Sequence, residues 1–407
     1  MSNQCCRLMD QTITGASLVS CFGEPRITGF KGALYFTLTA LFSVDLAFCL
    51  TYEWHDFIKR LLTLKEMALV IFCTGGYFAH LNMISVENEY IFKYLKYVDE
   101  PYHSHSSKKL KLINEMNAFI KWLSAFSTRA FKFLYMFAAV LPLVHIVIVL
   151  ARTHFSGKKL DEDNFPLVMH FYVPLSLRTI PGYFLANLAA SIWYALSLYI
   201  WSIVFKIFVI GLGCLCTEMD LLFEAVNEID HIPPAEETTP SKTTNETMHV
   251  NEILLKRKFN AIIEHHQDIT KTMKLMNRMF QTTIVLFLNV YCLQLCLYIV
   301  FVMKLEDIVQ RIKFATLYIF ALYLQYQYAS CSQRIKDRGE TFGETLYGCG
   351  WVDKPQWMKK MLLIMKCMAD QPLVMKPYGW YVVDRVFMAN IFKATYTYLN
   401  VVNEFIK

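Results

Sequence analysis

The sequence is short of charged residues. Asp, Glu, Lys and Arg make up 18% of its 407 residues, and hydrophobic residues make up 55%. A soluble globular domain carries about 25% charged residues. Three stretches, 179–205, 279–303 and 314–333, contain no charged residue at all. As a helix, each can cross a hydrocarbon core of about 30 Å, which takes about 20 residues. No soluble fold fits this pattern, and an all-α membrane protein is predicted.

The sequence also lacks the motifs of enzymes, cofactor sites and metal sites. It has no phosphate loop, no Gly-x-Ser-x-Gly and no His-Glu-x-x-His. Its 12 cysteines include no metal-type Cys-x-x-Cys pair. His265-His266 with Asp268 lies in a charged segment, where such side chains are usually solvated. We therefore predict no catalytic residue, cofactor or metal.

Nucleic acid is not indicated either, because the net charge of +6 is explained by Lys and Arg that flank the apolar segments. The first 30 residues contain no apolar core followed by a small-residue cleavage site, so no cleaved signal peptide is expected.

Hydropathy predicts seven membrane-spanning helices. They fall near 32–52, 66–86, 130–151, 183–213, 279–303, 314–333 and 383–405. Between the fourth and fifth, residues 231–249 contain three prolines and no aromatic residue, which predicts a disordered linker. Before the seventh, residues 355–369 place apolar side chains on one helical face and Lys359, Lys360 and Lys366 on the others. This amphipathic helix would lie on the membrane or dock on a partner.

Lys and Arg are distributed unequally between alternate loops. The amino-terminal tail and the loops on its side of the membrane hold more than twice as many as the opposite loops. The positive-inside rule then places the amino terminus in the cytoplasm and the carboxyl terminus outside. The predicted parts are a cytoplasmic tail (1–31), six spans with a ligand pocket and long cytoplasmic loops (32–333), a cytoplasmic amphipathic anchor helix (346–370) and the seventh span (383–407).

A G-protein-coupled receptor would have the opposite orientation. The loop at 153–182 contains no cysteine to tether the third span, and no Asp-Arg-Tyr follows that span. This class is kept only as a less favoured alternative.

The outer halves of spans two, three, four and six combine aromatic and soft apolar side chains with isolated polar ones. Such a mixture suits a pocket for a small apolar ligand with one or two hydrogen-bonding groups. Ordinary packing between membrane helices gives the same pattern, and the sequence does not show which faces converge. The candidate pocket residues are Met67, Ile71, His145, Ile148, Tyr183, Asn187, Tyr194, Phe314 and Tyr318.

The carboxyl-terminal part resembles the insect odorant receptors. The residues that carry the likeness are Tyr347 and Trp351, the amphipathic helix, the Gln371-Pro372-Leu373 turn and Lys393-Ala-Thr-Tyr-Thr-Tyr in the last span. The doubled Thr-Tyr, the turn and Trp351 favour this branch over the related insect gustatory receptors, which remain an alternative.

The resemblance implies a subunit of a ligand-gated, non-selective cation channel in the plasma membrane of a sensory dendrite. It implies a heterotetramer with a common coreceptor subunit, surrounded by membrane lipid, that opens for a volatile hydrophobic odorant and passes cations. It also implies that the ligand pocket lies among spans two, three, four and six. The loop before span five is shorter than in the coreceptor, which indicates an odour-tuned subunit.

The same resemblance implies roles for four residues in the last span, which would line the pore. Val401 stands where the coreceptor has its gate valine, three residues after Thr397-Tyr398. Glu404 stands where the coreceptor has Gln, one helical turn beyond Val401 on the same face. A valine ring closes a pore by excluding water, and an acidic ring favours cations.

Overall fold

The computed structural model describes residues 30–52, 57–84, 107–140, 143–144, 146–148, 151, 155, 168–170, 179–230 and 242–405. Every regular element in this part of the chain is a helix. The main helices are α1 (Phe30–Tyr52), α2 (Phe57–Ile84), α3 (Ser107–Tyr135), α4 (Ile180–Asp230), α5 (Lys242–Lys304), α6 (Ile308–Gly348), α7 (Gln356–Ala369) and α8 (Arg385–Phe405). A π-helical turn, Met136–Val140, continues α3, and a 3₁₀ turn, Pro377–Gly379, precedes α8.

Two helices are much longer than a bilayer is thick. α4 has 51 residues and α5 has 63, which at 1.5 Å per residue gives roughly 77 Å and 95 Å. Within the described residues, the segments Gly32–Tyr52, Pro181–Ile229 and Glu252–Lys304 are long and apolar enough to cross a membrane by composition. The predicted spans 314–333 and 383–405 fall on α6 and α8, and the described part of the predicted span 66–86 falls on α2.

α5 begins at Lys242, inside the segment 231–249 for which the sequence predicts no helix. The described part of that segment therefore extends α5, and residues 231–241 lie outside the described residues.

α4 is the central helix of the bundle. Every residue from Trp201 to Met219 is buried, and α4 contacts α1, α2, α3, α5 and α6. A helix that is apolar on all sides has no face left for water, so neighbouring helices must surround it. The run of apolar residues that predicts the fourth span thus becomes the axis around which the other helices pack.

Ion pairs show which helix ends meet. Lys108 at the start of α3 lies 3.6 Å from Glu224 near the end of α4. Lys258 near the start of α5 lies 3.9 Å from Glu228, also near the end of α4. We call this part of the bundle the anchor half. The opposite part, which contains residues 168–170, is the pocket half.

The amphipathic helix α7 packs in the anchor half. Its buried side chains are Met358, Leu362, Met365 and Ala369, and it contacts α6 and α5. Trp357 donates its indole N–H to Glu252 on α5 at 3.3 Å. The chain itself therefore covers much of the apolar face expected to meet a membrane or a partner, and Met368 of that face stays 48% exposed.

Adjacent glycines let α2 approach two helices at once. A Cβ at Gly75 would collide with Leu286 of α5, and a Cβ at Gly76 would lie 2.6 Å from the indole of Trp201 on α4. The close approach stacks Phe72 of α2 on Trp201, with ring centroids 3.7 Å apart and planes 3° from parallel. These contacts set the position of α2 beside the cavity described next.

Candidate functional site

A small cavity lies inside the pocket half, between α2, α3, α4, α5 and α6. Half of its lining residues are aromatic, and Cys73, Ser197 and Gln294 are among the others. The aromatic lining residues are Phe72, Phe131, Trp193, Tyr194, Trp201, Tyr291, Tyr298 and Phe320. An enclosed, mainly apolar space with a few polar groups is the usual form of a small-molecule site.

The size of the cavity limits what it can hold. The space open to the centres of water molecules is about 40 Å³. That is well below the 150 Å³ cavity that is known to bind benzene. A ligand with a ring therefore fits only if the surrounding side chains move apart.

Of three buried polar groups that border the cavity, Ser197 and Trp201 interact with the thiol of Cys73, and the amide nitrogen of Gln294 has no partner. The amide oxygen of Gln294 already accepts the hydroxyl of Tyr298 at 3.2 Å. All three side chains are at most 5% exposed, so bulk water does not satisfy them.

A cluster of charged and polar side chains closes the pocket half. Lys65 and Glu66 of α2 form an ion pair, and both are almost fully buried. Glu66 also accepts the backbone N–H of His170 at 3.2 Å. Lys313 of α6 donates to the backbone carbonyl of Val168. We call these groups, with Asn187, the closing cluster.

Asn187 of α4 completes the closing cluster. Its amide oxygen accepts the backbone N–H of Val168 at 2.7 Å, and its amide nitrogen donates to the carbonyl of Tyr183 at 2.9 Å. Residues 168–170 are thus tied to α2, α4 and α6 together. Phe314 lies below, with the ammonium groups of Lys65 and Lys313 5.1 Å and 5.5 Å from its ring centre.

Four of the predicted pocket residues line the cavity or lie in or beside the closing cluster. Tyr194 lines the cavity. Tyr183, Asn187 and Phe314 are buried in or beside the closing cluster.

The others do not line the cavity. Met67 and Tyr318 are partly buried against the core, whereas Ile71 and Ile148 are 55% and 43% exposed. His145 lies outside the described residues.

Sequence reasoning missed the contribution of α5. Tyr291, Gln294 and Tyr298 line the cavity, and their spacing of three and four residues places them on one helix face. The signal available in the sequence was a set of side chains with polar ends, spaced three and four residues apart in a run without charged residues. Tyr194, Ser197 and Trp201 show the same spacing on α4.

The predicted pore residues lie on the outer side of α8. Ile391 and Thr395 are buried, and α8 contacts α5 and α6. The predicted residues Thr397, Tyr398, Val401 and Glu404 are exposed within the single chain. Val401 is 45% exposed and Tyr398 is 59% exposed, so this side of α8 is left for another molecule.

Comparison with known proteins defines the class to which this bundle belongs. The sequence pattern of the 7tm Odorant receptor family matches residues 63–396. The match covers most of the chain, and the chain belongs to this family of membrane-embedded helical receptors. The resemblance to insect odorant receptors that residues 346–407 indicate is confirmed. A search of curated protein sequences finds no match.

Solved structures show the same fold. The insect olfactory receptor OR5 from Machilis hrabei in complex with eugenol matches with a TM-score of 0.70 and 13% sequence identity, covering 91% of this chain and 87% of that chain. The structure of OR5 from the same insect described without eugenol gives a TM-score of 0.69 and 13% identity, covering 91% and 86%. At this identity the likeness establishes the arrangement of the helices.

Proposed function

We propose that this chain is the odour-tuned subunit of a ligand-gated, non-selective cation channel, in which a volatile hydrophobic molecule occupies the aromatic cavity and opens a central pore. Membership of the odorant receptor family supports the sensory role. The related structure with eugenol shows that this fold holds a small aromatic molecule. The chain would lie in the plasma membrane of a sensory dendrite.

One observation carries the proposal, which is that α5 joins the cavity to α8. Tyr291 and Gln294 line the cavity. On another face of the same two turns, the thiol of Cys292 lies 4.0 Å from the hydroxyl of Thr395 on α8. The thiol of Cys296 lies 3.9 Å from the backbone carbonyl of Thr395. A ligand that shifts α5 therefore also shifts α8.

The exposed side of α8 supports a pore between subunits. It carries Thr397, Tyr398, Val401 and Glu404, and none of them is buried within one chain. In a heterotetramer with the coreceptor, Val401 would form the gate and Glu404 would attract cations. Binding opens the channel only to the extent that the odorant has higher affinity for the open state.

The proposed orientation has the anchor half in the cytoplasm and the pocket half towards the outside. The surplus of Lys and Arg on the anchor side supports it. Glycosylation of Asn245, which lies in an Asn-x-Thr sequon, tests it. The proposed topology keeps this site bare, whereas a glycosidase-sensitive shift in mass would favour the inverted orientation of a G-protein-coupled receptor.

Patch-clamp recording of cells that express the chain with and without an insect coreceptor tests the channel. Odorant-evoked unitary currents are expected only with both subunits. Val401→Ala should raise the leak current and Glu404→Gln should change cation permeability. Val386→Ala is the control, because Val386 is an exposed valine at the opposite end of α8. Unchanged currents in both pore variants would refute the pore assignment.

A further inference from the structure

A single carboxylate makes two contacts at the start of α8. Asp384 directly precedes α8 and is 8% exposed. Its Oδ1 accepts the backbone N–H of Phe387, in the first turn of α8, at 2.8 Å. Its Oδ2 lies 3.2 Å from the ammonium group of Lys336 on α6. Asp384 is therefore both the N-cap of α8 and one partner of an ion pair between α8 and α6.

A second residue of α6 contacts the same turn. The side-chain oxygen of Gln333 accepts the backbone N–H of Arg385 at 3.3 Å, and its amide nitrogen donates to Asp337 at 2.6 Å. Gln333 and Lys336 are three residues apart, so they share a face of α6. Because the first N–H groups of a helix have no partner within it, these contacts join the start of α8 to α6.

The chain before α8 is held by α5. The side-chain amide of Asn277 donates to the carbonyl of Val374 at 2.7 Å, and its oxygen accepts the N–H of Lys376 at 2.8 Å. The N–H of Val383 donates to the carbonyl of Met375 at 2.9 Å. The start of α8 is therefore fixed between α5 and α6.

The gate is sensitive to how the start of α8 is held. The middle of α8 has only long contacts to the thiols of Cys292 and Cys296, at 4.0 Å and 3.9 Å from Thr395. Val401 lies about 25 Å along the helix from Asp384, so a tilt of about 5° at the start of α8 moves Val401 by about 2 Å. A valine ring excludes water only while its side chains stay close together. A small tilt is therefore enough to open it.

We propose that Asp384 and Lys336 are positioning residues for the gate, and that their ion pair holds α8 at the tilt that keeps the pore closed when no odorant is bound. The pair belongs to the arrangement in which the cavity is too small for a ring. Loss of the pair frees the start of α8, and the ligand-free channel leaks. This inference rests on the proposed function in taking α8 as the pore helix and Val401 as its gate.

The ligand-free sodium current per channel at the cell surface tests the inference, in cells that express the full chain with an insect coreceptor. Lys336→Met removes the ion pair and keeps the N-cap. Asp384→Asn removes the charge and also keeps the N-cap, because Asn and Asp serve equally well there. Each should raise this current about threefold, in keeping with a pair that water still reaches. The double variant should not exceed either single variant, because both remove the same interaction.

Two variants separate positioning from folding. Lys336→Arg keeps the positive charge and should keep the ligand-free current of the unaltered channel. Arg334→Met removes a positive charge from an exposed site two residues away on α6, and it should leave this current unchanged. A folding defect would lower the number of channels at the surface, whereas loss of the pair raises the current of each channel.

Hydrogen exchange measures the same effect on α8 directly. The full chain is co-purified with the coreceptor in lipid nanodiscs, without odorant. The amides in the first turn of α8 should exchange about threefold faster in Lys336→Met than in Arg334→Met, because the start of α8 opens more often. Equal exchange in these two variants would overturn the inference.

The outcomes separate this inference from the proposed function. A raised ligand-free current in Val401→Ala without a raised current in Lys336→Met would overturn the inference and leave the proposed gate intact. Additive effects of Lys336→Met and Asp384→Asn would overturn it as well. An unchanged current in every variant, Val401→Ala included, would refute the gate and the inference together.

Discussion

The pocket half and the anchor half differ in how they treat buried polar groups. In the anchor half, Arg338 of α6 donates to both carboxylate oxygens of Asp220 on α4, at 2.7 Å and 2.9 Å. His265 of α5 lies 2.8 Å from the carboxylate of Glu218 on α4. Around the cavity of the pocket half, the amide nitrogen of Gln294 has no partner. The anchor half joins α4 to α5 and α6 through these pairs, and the pocket half leaves this donor unpaired beside a cavity.

The anchor half therefore supports the bundle, whereas the pocket half can receive a ligand. Paired charges hold α4, α5 and α6 at fixed spacing, and the two hydrogen bonds that Asp220 accepts also hold the pKa of Arg338 above its ordinary value. An unpaired donor beside a cavity is unfavourable, and a ligand that accepts its hydrogen stabilises that region. The closing cluster is the exception in the pocket half, because it binds residues 168–170 through paired groups.

The largest loss of stability should come from a substitution in the closing cluster. Glu66→Gln keeps an oxygen to accept the N–H of His170 but removes the charge that Lys65 faces. Removing one partner of a buried ion pair costs about 3–5 kcal/mol, so the apparent melting temperature of the purified receptor should fall markedly. Glu306→Gln is the control, because Glu306 is exposed. Equal melting temperatures for the two variants would show that the cluster does not hold the pocket half together.

A smaller effect is expected in the anchor half. Arg338→Met removes a bidentate pair whose side chains are 26% and 28% exposed. Because water still reaches the pair, we expect a loss of about 2 kcal/mol, at the level of a charge-assisted hydrogen bond. Arg334→Met, one turn earlier at an exposed position, should change little. Size-exclusion profiles after heating measure both, and indistinguishable profiles would contradict the structural role of the anchor pairs.

The smallest loss of stability is expected for Gly76→Ala, which should affect ligand binding more than folding. Gly76→Ala places a methyl group 2.6 Å from the rigid indole of Trp201, which must move against the cavity. Overpacking of this kind costs about 1–3 kcal/mol, and we expect the lower value with a weaker odorant response. Gly348→Ala is the control, since nothing lies within 4 Å of a Cβ there. An unchanged dose-response curve in Gly76→Ala would show that Trp201 does not shape the ligand site.

Only some of the residues that line the cavity could be predicted from the sequence. Tyr194 follows from an aromatic residue with a polar tip in the outer half of a predicted span. The α5 residues Tyr291, Gln294 and Tyr298 do not, because hydropathy assigns a residue to a span without showing which neighbour its face meets. Ile71 differs from Phe72 by one position on α2, yet Ile71 is 55% exposed and Phe72 is 2% exposed. The rotation of a helix about its own axis decides which of two such neighbouring residues is buried.

The sequence by itself indicated that the protein is helical and membrane-embedded, because charge-free runs of that length fit membrane-spanning helices, whose backbone groups hydrogen-bond within the segment. Its carboxyl-terminal motifs also indicated the odorant receptor family. Only the tertiary structure decided where the cavity lies and which polar groups border it. Gly75 and Gly76 show the physical reason. The absence of two side chains lets α2 come close to α4 and α5, and no local pattern shows what fills the space that two glycines leave.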